Sequence, residues 1–237
     1  YKNENILIDC GEGTQRQFRF AKINPTKITK ILITHWHGDH VLGLPGLLQT
    51  LEKNNYQGVL EIYGPKGTKK YFDAMKKWFA WNLKLNHRII EVDKKICFKN
   101  KDFQLEVLKL NHNLPCLGYA FKESDKRKID INYLKKFNLR NDPIIKKRKQ
   151  GKNIKWNGKQ INASKATYLE KGLKVSFVSD TKYSNSIVNF VKSSDIFVCE
   201  ATFSDELRKK AEKYMHLTSK QSAMIAKKAK VKKLVLT

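Results

Sequence analysis

Six consecutive positions, His35 to His40, carry three histidines and an aspartate in the string THWHGDH, within a chain that has only six histidines in all. Imidazole and carboxylate are zinc-type ligands, and no thiolate lies in the cluster. The spacing divides the work. His35 and His37, two apart in a turn, can point at one ion, while Asp39 and His40 reach a second ion beside it. Two ions about 3.5–4 Å apart bring a shared water to deprotonation near neutral pH and stabilise both the attacking and the departing oxygen of a phosphoryl displacement.

Such a string needs a frame to hold it, and the rest of the chain supplies the pattern for one. ILID (6–9), KILIT (30–34), VLEIY (59–63), FQLEVLKL (103–110), VSFVS (175–179) and DIFVC (195–199) read as strands. Helical periodicity is expected over 44–53, 66–79 behind a GPKG turn, 184–192, 204–213 and 219–228. This alternation predicts a layered α/β architecture. The histidine string follows KILIT directly, at the carboxyl end of a strand, where open α/β sheets place their ligand sites. His112 follows FQLEVLKL, Asp180 follows VSFVS and Glu200 follows DIFVC. One histidine behind a strand is usually structural; four strand ends that finish in ligand or acid–base residues point to a shared centre. His87, in WNLKLNHR, stands outside every such group and reads as a surface or core residue.

At 237 residues and 41% hydrophobic content the chain has the size of one large domain with a substantial core. It has no apolar run of the about 18 residues a membrane span needs, and YKNENILID lacks the layout of a signal peptide. A cytoplasmic protein without a membrane partner is expected. Cys10, Cys97, Cys116 and Cys199 are scattered with no CxxC pair, which argues against a disulfide framework and against a zinc ribbon. The net charge of +26 points to a polyanion such as nucleic acid, although lysine is abundant throughout. Distribution says more than the total. Residues 126–165 hold fourteen Lys or Arg against two acids, Asp130 and Asp142, with KKRK at 146–149. From about 123 to 170 the apolar pattern fails except at INYLKKF (131–137), and so long an unpatterned stretch inside a compact domain is functional or disordered. Tyr1 in place of a methionine, and KKLVLT as a strand that stops before its loop, suggest a fragment lacking both termini.

THWHGDH followed by GLPGLL (43–48) resembles the metallo-β-lactamase superfamily, and DCGEGTQRQ (9–17) resembles the ribonuclease Z family within it, the tRNA 3′-processing endonucleases. IYGPKG (62–67), LNHNLPCLGYAF (110–121), FVSDT (177–181), CEATF (199–203) and HLTSKQSA (216–223) extend the resemblance over nearly the whole chain. It implies a metallo-β-lactamase αββα sandwich spanning residues 1–237, with a basic flexible arm inserted at 123–170 as an exosite. It implies two zinc ions, with manganese or iron(II) as substitutes: His35, His37 and His112 on one, Asp39 and His40 on the other, and Asp180 bridging. Asp39 is further implicated as the general base, and Glu200 with His216 as the pair that protonates the departing 3′ oxygen. Asp9 matches an aspartate that supports the metal loop, and a seventh ligand is expected just past Thr237. The implied reaction removes the 3′ trailer from precursor tRNA and leaves a 3′-hydroxyl on the tRNA; a homodimer is also implied.

Two other readings remain open. Another hydrolase of the superfamily, a phosphodiesterase or thioesterase, shares the metal loop but has no use for the basic arm. An RNA-binding protein without catalysis keeps the arm but does not need acids and imidazoles at four strand ends.

Overall fold

Short, apolar, β-branched runs separated by amphipathic helices have one economical arrangement, a parallel sheet with helices laid against it. The computed structural model, which describes residues 1–136, 153–156 and 159–237, shows this in one sheet and, combined with antiparallel strands, in part of a second. The first sheet is β1 (Ile6–Ile8), β2 (Lys30–Leu32), β3 (Leu60–Gly64) and β4 (His87–Glu91), in that order and parallel throughout. Its helices are α1 (Thr14–Phe20), α2 (Gly38–Val41), α3 (Leu44–Lys53) and α4 (Thr68–Trp78). In α3, Leu44, Leu47, Leu48 and Leu51 recur at helical spacing and are all fully buried, in one cluster with Ile31 and Ile62 of the sheet and Phe72 of α4. Truncating any of these leucines to alanine costs about 2–5 kcal/mol.

The second sheet begins with β5 (Ile96–Lys99), β6 (Phe103–Leu110) and β7 (Cys116–Glu123). The chain then enters a separate compact unit, Asn100–Phe103 with Lys122–Leu173. Within it β8 (Lys126–Ile129) pairs antiparallel with β11 (Thr167–Glu170), and β9 (Ile154–Trp156) with β10 (Lys159–Ile161). Two short helices, α5 (Ile131–Lys135) and α6 (Ala163–Ala166), complete its described elements. A small core of Leu134, Ile161 and Ala166, with Ile129, Tyr133 and Trp156 against it, holds them. The expectation of an unpatterned stretch therefore needs correction. The strands are only three or four residues long and β8 exposes three successive cations, Lys126 to Lys128, so alternation is masked; only α5, inside INYLKKF, had a readable period. KKRK at 146–149 and Asp142 lie outside the described residues.

The chain returns through β12 (Lys174–Val178), β13 (Ile196–Cys199) and β14 (Lys233–Leu236), giving the six-stranded order β14-β13-β12-β7-β6-β5. Helices α7 (Asn185–Phe190), α8 (Arg208–Tyr214) and α9 (Ser219–Lys228) follow the strand ends, with Asp205–Leu207 as a 3-10 turn before α8. Ile187 of α7 and Val191 just after it, with Ile225 and Ala226 of α9, bury against Val178, Phe197 and Cys199. A capping box starts α9: Thr218 Oγ1 accepts from the Gln221 amide, and Gln221 Oε1 accepts from the Thr218 amide. The two sheets meet where Tyr119 of β7 donates its hydroxyl to the Ile33 carbonyl at 2.8 Å and the Leu117 amide donates to Thr34 at 2.9 Å. This is the αββα sandwich of the metallo-β-lactamase fold. Strands β4, β5 and β7 and helix α1 were not among the expected elements. All four cysteines are free thiols, three of them buried. No helix among the described residues is long and apolar enough to cross a membrane.

Candidate metal centre

The string THWHGDH leaves β2 and immediately turns into α2, and the loop after β1 fixes that turn. Asp9, in a left-handed conformation at φ 56°, accepts from the Thr34 amide and hydroxyl, both at 2.7 Å. His40 Nδ1 donates to the same carboxylate at 2.8 Å. The Cys10 amide donates to the His40 carbonyl, and the Gly43 amide to the Cys10 carbonyl. The loops touch so closely that a Cβ on Gly11 would lie 2.2 Å from the Asp39 carbonyl oxygen, and one on Gly43 would lie 2.1 Å from that of Gly11. Both positions therefore require glycine. DCGEG is a clamp on the histidine loop.

Two other strand ends deliver their residues to the same place. Asn111, at the end of β6, is tied to Thr181 and Lys182, at the end of β12, by backbone and hydroxyl hydrogen bonds. This brings His112 beside Asp180. The Met215 carbonyl accepts from His112 Nδ1 at 3.2 Å, which turns Nε2 inward. His35 Nε2 lies 2.9 Å from His37 Nδ1, and that atom lies 3.3 Å from His112 Nε2. Two nitrogens held about 2.0–2.1 Å from one tetrahedral zinc are about 3.3 Å apart, so the spacing suits a shared cation. Asp180 then divides its oxygens. Oδ2 is 3.6 Å from His35 Nε2 and 3.8 Å from His112 Nε2, while Oδ1 is 3.6 Å from His40 Nε2. Asp39, exposed at its side chain, reaches His40 Nε2 at 3.4 Å. Two candidate ligand groups result, His35–His37–His112–Asp180 and Asp39–His40–Asp180, joined at Asp180.

Charge favours a cation at this position. Burial, then the charge of His40, push His35 down to about 3, so its ring offers a lone pair at neutral pH. Burial also lowers His112. His40 behaves oppositely: burial alone would lower it, but the nearby carboxylates of Asp180 and Asp9 outweigh that and raise it to about 10. Burial would raise Asp180, yet the adjacent His40 imidazole and its charge hold it well below the usual carboxylate range. Carboxylates that stabilise positive charge so strongly at His40 Nε2 would do the same for a metal ion beside it. The donor chemistry therefore fits a divalent ion.

Glu200 and His216 close the third side. Glu200 Oε1 accepts from the Thr181 amide at 2.7 Å, and Oε2 accepts from Thr202 Oγ1 at 2.6 Å and from His216 Nδ1 at 3.0 Å. Burial raises the Glu200 carboxyl, opposed by the Thr202 and Thr181 hydrogen bonds. His216 Nε2 faces Asp180 Oδ2 at 3.8 Å. Every expected site residue is thus brought to one centre. His87 is not: it lies in β4, its ring 5.2 Å from Phe72 and its Nδ1 on the Leu85 carbonyl. Sequence reading passed over Thr34, Thr202 and Met215. Thr34 stands at the head of the histidine string, which is a usable signal; a backbone carbonyl such as that of Met215 leaves none.

Comparison with known proteins agrees with this geometry. Residues 1–95 match the description of the metallo-β-lactamase superfamily. The chain is 39% identical over 236 residues to ribonuclease Z of Nanoarchaeum equitans, covering 99% of this chain and 74% of that protein. It is 37% identical to ribonuclease Z of Bacillus subtilis, covering 98% and 76%. The short form of human tRNase Z superposes with a TM-score of 0.71 at 24% identity, over 100% of this chain and 82% of that one, which bears on the fold. Identity of that level across three quarters of the relatives' length shows the family: the chain belongs to the ribonuclease Z family of the metallo-β-lactamase superfamily.

Proposed function

We propose that the chain is a zinc-dependent endoribonuclease that removes the 3′ trailer from precursor tRNA, leaving a 3′-hydroxyl on the tRNA and a 5′ phosphate on the trailer. The observation that carries this is Asp180, whose two oxygens face two separate ligand groups with the Glu200–His216 pair at its flank. His35, His37 and His112 would hold one ion, Asp39 and His40 the other, and Asp180 both; manganese or iron(II) suits the same donors. When bound, the ions supply Lewis acidity, easing deprotonation of water and offsetting charge on the phosphate oxygens.

The chain's own groups do the rest. Asp39, the exposed carboxylate of the set, takes the proton of the attacking water. Protonated His216 donates from Nε2 to the departing 3′ oxygen, while Glu200 accepts its Nδ1–H, orients the ring and stabilises the imidazolium. Asp9 acts at one remove, fixing His40 so that Nε2 points into the centre.

The compact unit that includes Lys122–Leu173 is assigned as a tRNA exosite, with 123–170 as an arm inserted into a single catalytic domain. Exposed Lys126, Arg127 and Lys128 line β8, and Lys155 and Lys165 add to them. Contacts from such residues go to phosphates and release counterions, so they read tRNA shape rather than base sequence. A homodimeric, cytoplasmic enzyme belongs to the same proposal, on the resemblance to the family.

The test is cleavage of a precursor tRNA carrying a 3′ trailer by the full-length protein. The expected result is a single cut at the trailer junction, lost with a chelator and regained with zinc. Uncut substrate, or a cut indifferent to the chelator, would refute it.

A further inference from the structure

Between Glu200 and His216 the chain builds a surface that the chemistry above does not use. Phe203 leaves the Glu200 loop and is pinned as a β-bridge to Thr218, its amide on the Leu217 carbonyl and its carbonyl accepting from the Ser219 amide. Its ring meets that of His216 edge-on, centroids 5.9 Å apart. Tyr214, the last residue of α8, lies nearly parallel to Phe203, with planes 17° apart and centroids at 6.4 Å. The left-handed Met215 then turns the chain so that His216 enters the centre. Tyr214 is 51% exposed, an apolar outlay that the core does not require. Cations rim it: Lys210 sits 5.8 Å from the Phe203 ring, Lys213 sits 5.7 Å from the Tyr214 ring, and Arg208 and Lys209 share the helix.

We propose that Phe203 and Tyr214 form a stacking platform for one nucleobase of the RNA, that of the nucleotide whose 3′ oxygen departs. The inference rests on the functional reading above. Exposed aromatic faces flanked by lysines are the means by which proteins hold unpaired bases without reading their identity. Position selects the nucleotide. His216 must lie within hydrogen-bond reach of the departing 3′ oxygen, and the base of that nucleotide hangs one sugar ring away from it. Phe203, in contact with His216, is where that base falls. The lysines then meet the flanking phosphates. A second copy of this chain is a poorer occupant, because an isologous contact here would set Lys210 and Lys213 against their own kind.

The experiment combines a variant with an altered substrate in the full-length protein. Wild type is expected to lose about tenfold in kcat/KM, mostly through KM, on a precursor tRNA made abasic at the nucleotide 5′ to the cut, the usual scale for one stacked base. Tyr214→Ala should lose a similar factor on the intact substrate and show no further loss on the abasic one. Tyr214→Trp should restore the difference. The inference is overturned by additive losses, by an intact Tyr214→Ala response, by sensitivity only to an abasic site on the trailer side, or by a change of oligomeric state in its place. Wild-type protein that leaves precursor tRNA uncut overturns the functional reading instead, and this one with it.

Discussion

Around Asp9 and Asp180 in the larger unit, charged groups are buried or half-buried and face one another; along β8 of the smaller unit they stand in water. Asp9 accepts three hydrogen bonds within one loop cluster, and Asp180 is surrounded by four imidazoles. Lys126, by contrast, pairs with Glu123 and Lys128 with Glu170, both partly exposed, and neighbouring cations face solvent. The first arrangement fixes the direction of each side chain, as bond making demands. The second fixes only a density of charge, which suffices to follow a phosphate backbone. Substitutions should therefore act very differently in the two regions: singly and steeply in one, cumulatively and gently in the other.

The steepest effect is expected at Asp180, which both ligand groups share. Asp180→Ala, or His37→Ala, should take precursor-tRNA cleavage to background and strip bound metal, read by elemental analysis of the purified full-length protein. Retained metal with normal turnover would end the contrast. Next comes His216→Ala, which should slow cleavage by about 10²–10⁴-fold, the scale of general acid catalysis, with metal content near wild type. A substrate with sulfur at the scissile 3′ position leaves without protonation and should recover much of that loss; if it does not, His216 is not the acid.

Asp9→Asn tests the second layer. It keeps the shape but weakens the hold on His40 Nδ1, and a loss of about 10–100-fold in metal affinity or activity is expected from such a change. Metal titration followed by activity separates the two. The gentlest effect belongs to the smaller unit. Replacing Lys126, Arg127 and Lys128 together with alanine should weaken precursor-tRNA binding and flatten its salt dependence, by a slope of about one per lost phosphate contact. Turnover at saturating substrate should hold. Equal salt slopes in variant and wild type would mean that these cations are a solvated face and nothing more.

The contrast also explains what could be read in advance. HxHxDH declares itself because ligand chemistry forces rare residue types into fixed spacing, and strand ends were legible because β2, β12 and β13 are short, largely apolar runs and β6 alternates apolar with polar residues. Helices α3 and α9 matched their expected limits, since Leu44, Leu47, Leu48 and Leu51 in one, and a capping box in the other, mark both face and start. Strand β7 escaped because its run of five buried residues includes Gly118 and carries no alternation. Helix α1 has no buried residue at all, so no apolar stripe announces it. The smaller unit hid for a related reason: among its described residues the cluster of Leu134, Ile161 and Ala166 is small, while Lys126, Arg127, Lys128, Lys155 and Lys165 are exposed. Thr202 and Met215 could not be found because their contribution is a hydroxyl and a carbonyl aimed by the fold.

The most direct test of the central claim is the chemistry of the two new RNA ends. A centre in which water attacks the phosphorus and His216 protonates the 3′ oxygen must leave a 3′-hydroxyl on the tRNA and a 5′ phosphate on the trailer. End-group analysis of precursor tRNA cut by the full-length protein should show those two groups alone. A 2′,3′-cyclic phosphate on the tRNA with a 5′-hydroxyl on the trailer would mean that the ribose, not water, attacked, and would contradict the account.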